Sequence, residues 1–344
     1  MSDDRDGRRR AGRGWLHPDL RGAPLAALPF HWRWALPLWR RAMRWAATSA
    51  GEGVEVREHV EPGVRVRLYL PSANPSGAAM LWLHGGGMIL GTPRSDDRRC
   101  GAWVRELGLV VVSVDYRLAP EHPYPAAIDD AHAAWRWLQG AAPALGVDPA
   151  RVAVGGASAG GGLAACLAQR LRDEARAQPA GQAAAQPAGQ AAAQPAGQAA
   201  AQLLVYPMLD DRTAVRRDLD DAGHLVWHNR SNRAGWSAYV GGSLGEPGLP
   251  AYAAAARCTD LRGLPPAWIG VGDLDLFRDE DRAYAGRLEE AGVTVTYCEV
   301  AGAPHGFDAV AAGAPLAQAF ATRQHAFLRE CLCRAGGNGP RALR

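Results

Sequence analysis

Six short, almost uninterrupted apolar runs punctuate residues 78–300: AAMLWL, LVVVSV, RVAVG, LLVY, AWIGVG and VTVTYCEV. A strand covered on both faces reads as such a run, whereas a half-exposed strand alternates apolar and polar residues. Ala- and Arg-rich segments of helical character separate the runs, among them Ala131 to Leu138 and Leu163 to Leu171. The pattern predicts buried parallel strands joined by crossover helices, a doubly wound α/β architecture. Upstream, VEVREHV and VRVRLYL alternate with a period of two around Glu61-Pro62-Gly63, so the sheet is expected to begin with an antiparallel hairpin.

Open α/β sheets carry their sites beyond the carboxyl ends of the strands. Ser158 stands there, after the run RVAVG and before a helix, within Gly156-Ala157-Ser158-Ala159-Gly160. This is the G-x-S-x-G spacing of a nucleophile elbow, a sharp turn whose flanking glycines let strand and helix approach. Two other readings compete for these glycines. A P-loop needs a lysine and the chain has none; Gly160 to Ala165 does match the G-x-G-x-x-A of a dinucleotide loop, although it lies outside the first βα unit. The elbow gains weight from Leu83-His84-Gly85-Gly86-Gly87-Met88 at the end of AAMLWL, where consecutive glycines leave backbone N–H groups able to face a site.

A serine nucleophile also needs a base and an orienting acid, which follow a G-x-S-x-G elbow in the order Ser, Asp or Glu, His. Asp273, Asp275, Asp279 and Glu280 follow AWIGVG, and His305 follows VTVTYCEV within Ala303-Pro304-His305-Gly306-Phe307-Asp308. His305 sits in a loop and is preferred as base over His122, His224 and His228, which lie beside prolines or in helical stretches. Among the carboxylates the pattern alone leaves Asp275 accompanied by its neighbours.

The remainder of the chain limits the partners. The net charge of +3 comes from scattered arginines, with a cluster only at Arg8, Arg9 and Arg10, so no nucleic-acid footprint is expected. No signal-peptide core and no membrane-length apolar stretch is present, so no stable membrane insertion and a cytoplasmic location are expected. The six cysteines show no paired metal spacing and read as reduced thiols. Residues 1–50, rich in Trp and Leu, read as short amphipathic helices broken by Pro29 and Pro37 and as one part of a cap; residues 210–245 read as its second part. The octapeptide AQPAGQAA occurs three times from Ala177 to Ala200, giving a low-complexity insertion over 177–202 within a catalytic domain spanning 51–335. Residues 336–344 are expected to be a disordered tail.

These motifs together resemble the hormone-sensitive lipase family of α/β-hydrolases, in its bacterial esterase and lipase branch. The segments that carry the resemblance are LWLHGGGMILG, VVSVDYRLAPEHPYPAAIDDAHAAWRWL, DPARVAVGGASAGGGLAA, LLVYPMLDDR, LPPAWIGVGDLDLFRDEDRAYAGRL and GAPHGFD. The resemblance implies an α/β-hydrolase fold with a helical cap and a serine carboxylesterase acting on short- to medium-chain esters without metal or cofactor. It implies Ser158 as nucleophile, Asp275 as acid, His305 as base, and the N–H groups of Gly85, Gly86 and Ala159 as oxyanion donors, with His84 bracing its loop. It also implies a homodimer through the last strand, VTVTYCEV. Ala157 departs from the Asp that many relatives carry before the serine, which removes a polar contact outside the catalytic set. A ligand-binding protein on the same scaffold is the alternative, but such proteins lack a member of the triad, and all three are present here.

Overall fold

The computed structural model describes residues 12–45, 48–177, 197–220 and 222–333. The arginine cluster, most of the octapeptide copies and the expected tail lie outside them. Eight strands form one sheet: β1 (Val54–Glu61), β2 (Val64–Pro71), β3 (Ala79–Leu83), β4 (Val110–Val114), β5 (Val152–Ala157), β6 (Gln202–Val205), β7 (Ala267–Gly272) and β8 (Val295–Val300). Their order is β1-β2-β4-β3-β5-β6-β7-β8. The β1–β2 and β2–β4 pairings are antiparallel and the remaining five are parallel, so the alternating segments form the expected hairpin, with Glu61 opposite Val64.

Nine α-helices accompany the described strands: α1 (Leu36–Trp45), α2 (Asp97–Leu107), α3 (Ala126–Ala141), α4 (Ala159–Ala177), α5 (Asp211–Val215), α6 (Asn229–Val240), α7 (Arg278–Glu290), α8 (Phe307–Val310) and α9 (Pro315–Leu328). The apolar runs serve both faces of the sheet at once. Ala79, Leu81 and Leu83 of β3 belong to one core cluster with residues of α3, α4 and α7, while Met80 and Trp82 belong to a second with residues of α2 and α9. Every residue of β3 through β7 is buried, which is why these strands read as continuous apolar runs rather than alternating ones.

One expectation needs correction. Pro37 does not break a helix: it lies in the first turn of α1, where an absent N–H interrupts no helical hydrogen bond. The stretch after β8 continues the fold through α9, whose Phe320 packs against Trp268 of β7 at a ring distance of 5.2 Å.

The third octapeptide copy ends inside the fold. Ala199 is buried and the Ala200 N–H donates to Val152 O at 2.8 Å, joining the neighbouring strand just ahead of β6.

Candidate active site

Ser158 occupies the turn between β5 and α4 with φ of +55°, a left-handed conformation that side-chain-bearing residues rarely adopt. Its N–H donates to Val205 O at 2.9 Å, and its carbonyl accepts from Gly162 N–H at 3.0 Å and Met208 N–H at 2.9 Å. The strained residue is therefore tied on both sides to β6, α4 and the loop beyond.

The glycines around it are accounted for by protein atoms. A Cβ on Gly160 would stand 2.0 Å from Leu83 O, and one on Gly162 would stand 2.1 Å from Met208 O. Gly161 would meet Pro207 Cβ at 2.8 Å. These residues let α4 start hard against the ends of β3 and β6, so the spacing that resembled a dinucleotide loop is explained by backbone packing.

His305 follows β8 and lies with its ring between two hydrogen bonds. Its Nε2 is 3.0 Å from Ser158 Oγ and its Nδ1 is 2.8 Å from Asp275 Oδ2. Both partners are buried, and the other Asp275 oxygen accepts the Phe277 N–H at 2.9 Å. With Nδ1–H donated to the carboxylate, the Nε2 lone pair faces the serine hydroxyl. The rings of Tyr206 and Phe277 stand edge-on to the imidazole at 4.7 and 5.2 Å and fix its plane.

The neighbouring carboxylates have other partners. Asp273 accepts the Gly302 N–H at 2.7 Å, and Asp279 pairs with Arg278 at 2.6 Å. Glu280 is buried, accepts the Leu209 N–H at 2.7 Å and is also bonded by Thr213. Burial, the largest influence, pushes its carboxyl well above the usual range, despite those bonds. His228 caps α6 by accepting the Ser231 N–H, and His122 donates its own N–H to Leu118 O.

Gly85 adjoins the serine: a Cβ there would stand 3.1 Å from Ala157 O and 3.5 Å from Ser158 Cβ. Gly86, at φ of +124°, turns the loop so that its carbonyl accepts from Ile89 and Leu90 N–H groups. Among the described residues the N–H groups of Gly85 and Gly86 donate to no protein acceptor. Ala159 opens α4, where first-turn N–H groups have no intrahelical acceptor. His84 is wholly buried, stacks on Tyr116 at 4.2 Å and shares a hydrogen bond between Nδ1 and Gly85 O at 2.9 Å. Burial lowers its pKa, so the ring is held neutral beside the glycine loop.

A network behind His305 escaped the sequence reading. Tyr206 Oη donates to Asp308 Oδ1 at 2.8 Å, and Arg99 pairs with Asp308 Oδ2 at 2.8 Å while lying over the Trp82 ring. Tyr206 and Asp308 stand inside the motif segments LLVYPMLDDR and GAPHGFD, but nothing in either pattern says that they meet.

The N-terminal segment and the segment before α6 also meet at this end of the sheet. Ala27 bridges Val226, Phe30 packs against Trp227 at 5.9 Å, and a Cβ on Gly87 would stand 2.2 Å from the Trp227 ring.

Fold and site geometry define an α/β-hydrolase. A family model described as the alpha/beta hydrolase fold matches residues 80–309, and the chain belongs to that family, in its hormone-sensitive-lipase-like bacterial esterase branch. It is similar to esterase LipI of Mycobacterium tuberculosis, with 35% identity over 274 residues covering 78% of each chain. Carboxylesterase NlhH of the same organism is 36% identical over 283 residues, covering 78% of this chain and 79% of that one. Among solved structures, a bacterial heroin esterase superposes with a TM-score of 0.80 at 35% identity, over 93% of this chain and 99% of its own.

Proposed function

We propose that this carboxylic ester hydrolase works through Ser158 as nucleophile, His305 as general base and acid, and Asp275 as the group that orients His305. The observation that carries the reading is the unbroken hydrogen-bond chain from Ser158 Oγ through His305 to Asp275, at 3.0 and 2.8 Å. His305 Nε2 takes the serine proton as Oγ attacks the ester carbonyl carbon. The negative charge then develops on the carbonyl oxygen, where the N–H groups of Gly85, Gly86 and Ala159 receive it. Collapse expels the alcohol, which takes the proton from His305. Water, deprotonated by the same ring, releases the acid from the acyl-enzyme and restores the serine.

The substrate in this reading is a small ester with a short or medium acyl chain. Its support is the roof formed by the Ala27 bridge to Val226 and the packing of Phe30 and Trp227 above the glycine loop. In this reading the described parts of residues 1–50 and 210–245 are the two parts of that cap. A homodimer through β8, an edge strand with one side paired to β7, and a cytoplasmic location complete the proposal. No helix among the described residues is long and apolar enough to cross a membrane.

The test is hydrolysis of p-nitrophenyl esters across acyl lengths by the wild type and by Ser158→Ala, with fluorophosphonate labelling of both. Loss of turnover and of labelling in the variant, with falling wild-type rates for long chains, supports the assignment. A folded wild type that binds esters without turning any over would favour a binding role on the same scaffold.

A further inference from the structure

Helix α1 has two apolar faces, and the fold uses one. Leu36 is buried, Trp39 and Met43 pack against the core, and Arg40 anchors the helix through Ile89 O at 2.9 Å, Ala119 O at 2.7 Å and the Glu121 carboxylate. On the other side Leu38 is 63% exposed and Trp45 is 77% exposed. Leu38, Ala42 and Trp45 follow a spacing of four and three residues, so they share that side. The turn leading into the helix adds Trp34, 73% exposed, and Trp32, 46% exposed, with rings stacked 5.7 Å apart.

Four of the seven large apolar side chains that the described residues expose thus belong to this one short segment. Scattered exposed hydrophobic residues are ordinary, whereas a concentration of them marks an interaction surface. Arg41 and Arg44 are exposed within it, and the Arg41 guanidinium lies 5.8 Å from the Trp45 ring. No Asp or Glu occurs anywhere between Asp19 and Glu52.

We propose that this face docks the protein on an anionic lipid–water interface. Trp32, Trp34, Leu38 and Trp45 enter the headgroup region, and Arg41 and Arg44 meet the lipid phosphates. Tryptophan suits that boundary because its ring is apolar while its N–H still finds a hydrogen-bond acceptor. Arginine spans it with an apolar stem and a charged head. At about 15 Å the ten-residue helix is too short to span a bilayer, so it lies flat and binds reversibly. A second copy of the chain is the less favoured occupant, because two such faces brought together set Arg41 and Arg44 against like charges with no carboxylate of the segment to offset them. The proposal stands independently of the catalytic assignment, since docking is read as binding.

The experiment uses the full chain with vesicles of phosphatidylcholine alone and of phosphatidylcholine mixed with phosphatidylglycerol. Expected are co-sedimentation with the anionic vesicles, a blue shift of tryptophan emission, and release by high salt. A triple variant, Trp34→Gln, Leu38→Gln and Trp45→Gln, should lose at least about tenfold in partitioning. It should keep its melting temperature, since all three side chains are exposed. Arg41→Gln and Arg44→Gln should each cost about fivefold on anionic vesicles alone. Absence of vesicle binding by the wild type, or equal binding by the triple variant, overturns the proposal. So does a wild-type dimer that ignores vesicles and dissociates in the triple variant, which would assign the face to a second copy.

Discussion

A Cβ placed on Gly156 would stand 2.1 Å from the carbonyl oxygen of Gly160, closer than any two such atoms can rest. The two residues bracket Ser158, and their contact lets β5 turn into α4 within one residue. Gly156→Ala or Gly160→Ala therefore forces strand and helix apart and should cost at least about 2 to 3 kcal/mol. Gly140→Ala, in α3 with nothing near its missing Cβ, should instead stabilise by about 0.5 to 1 kcal/mol. Denaturant melts of the three variants decide; a neutral Gly160→Ala would contradict the packing described for the elbow.

Asp275→Asn preserves shape and changes proton placement. The amide N–H of the new side chain faces His305 Nδ1, so the proton moves to Nε2 and the ring no longer accepts from Ser158 Oγ. The kcat on p-nitrophenyl acetate should fall by about four orders of magnitude while the melting temperature barely moves. Retention of a tenth of wild-type activity would remove Asp275 from its proposed role and return attention to Asp273.

Arg99 and Asp308 form an ion pair with side chains 14% and 9% exposed, so removing one partner strands a charge. Asp308→Ala should cost about 3 to 5 kcal/mol in stability. It should also lower kcat through the freed loop, three residues beyond His305. Tyr206→Phe keeps the ring against His305 and removes the hydroxyl that donates to Asp308 and accepts from Arg99, for a loss of about 1 to 2 kcal/mol. Unfolding curves and kcat for both variants would expose the error if Tyr206→Phe proved the more damaging.

Asp281 lies in the first turn of α7, wholly buried, with neither carboxylate oxygen bonded among the described residues. Burial, and then the charges of Glu280 and Asp275, push its pKa well above the usual carboxylate range. For a raised folded-state value, stability is full below the unfolded pKa of about 4 and drains away as pH climbs toward the folded value. Asp281→Asn removes that drain. It should stabilise the protein at pH 8 by about 1 to 3 kcal/mol and by visibly less at pH 4. Melting curves at the two pH values give the comparison, and an identical shift at both would rule out the charge as the cause.

The sheet was readable because strands covered on both faces have nowhere to place a polar side chain, as Met80, Leu81 and Trp82 illustrate. Ser158 was readable for a related reason: its glycines are needed by contacts within a few residues or across one strand. The choice among Asp273, Asp275, Asp279 and Glu280 was harder, because their partners include Gly302, His305, Leu209 and Thr213, brought near only by the completed fold. Tyr206, Arg99 and Asp308 were out of reach altogether, since the contacts to Asp308 cross 102 and 209 residues. Pro37 was misread because the same ring that breaks a helix interior is accommodated in a first turn.

Helix α4 starts beside Ser158 and, over its 19 residues, carries the chain about 28 Å away before the octapeptides begin. The chain returns at Ala199 and Ala200, at the opposite pole of the strands from the serine. Adding or deleting an octapeptide unit there changes the repeat number at a distance from Ser158. For the protein engineer the same junction is a grafting port: a reporter or affinity domain spliced between Ala177 and Ala199 hangs from the pole opposite Ser158.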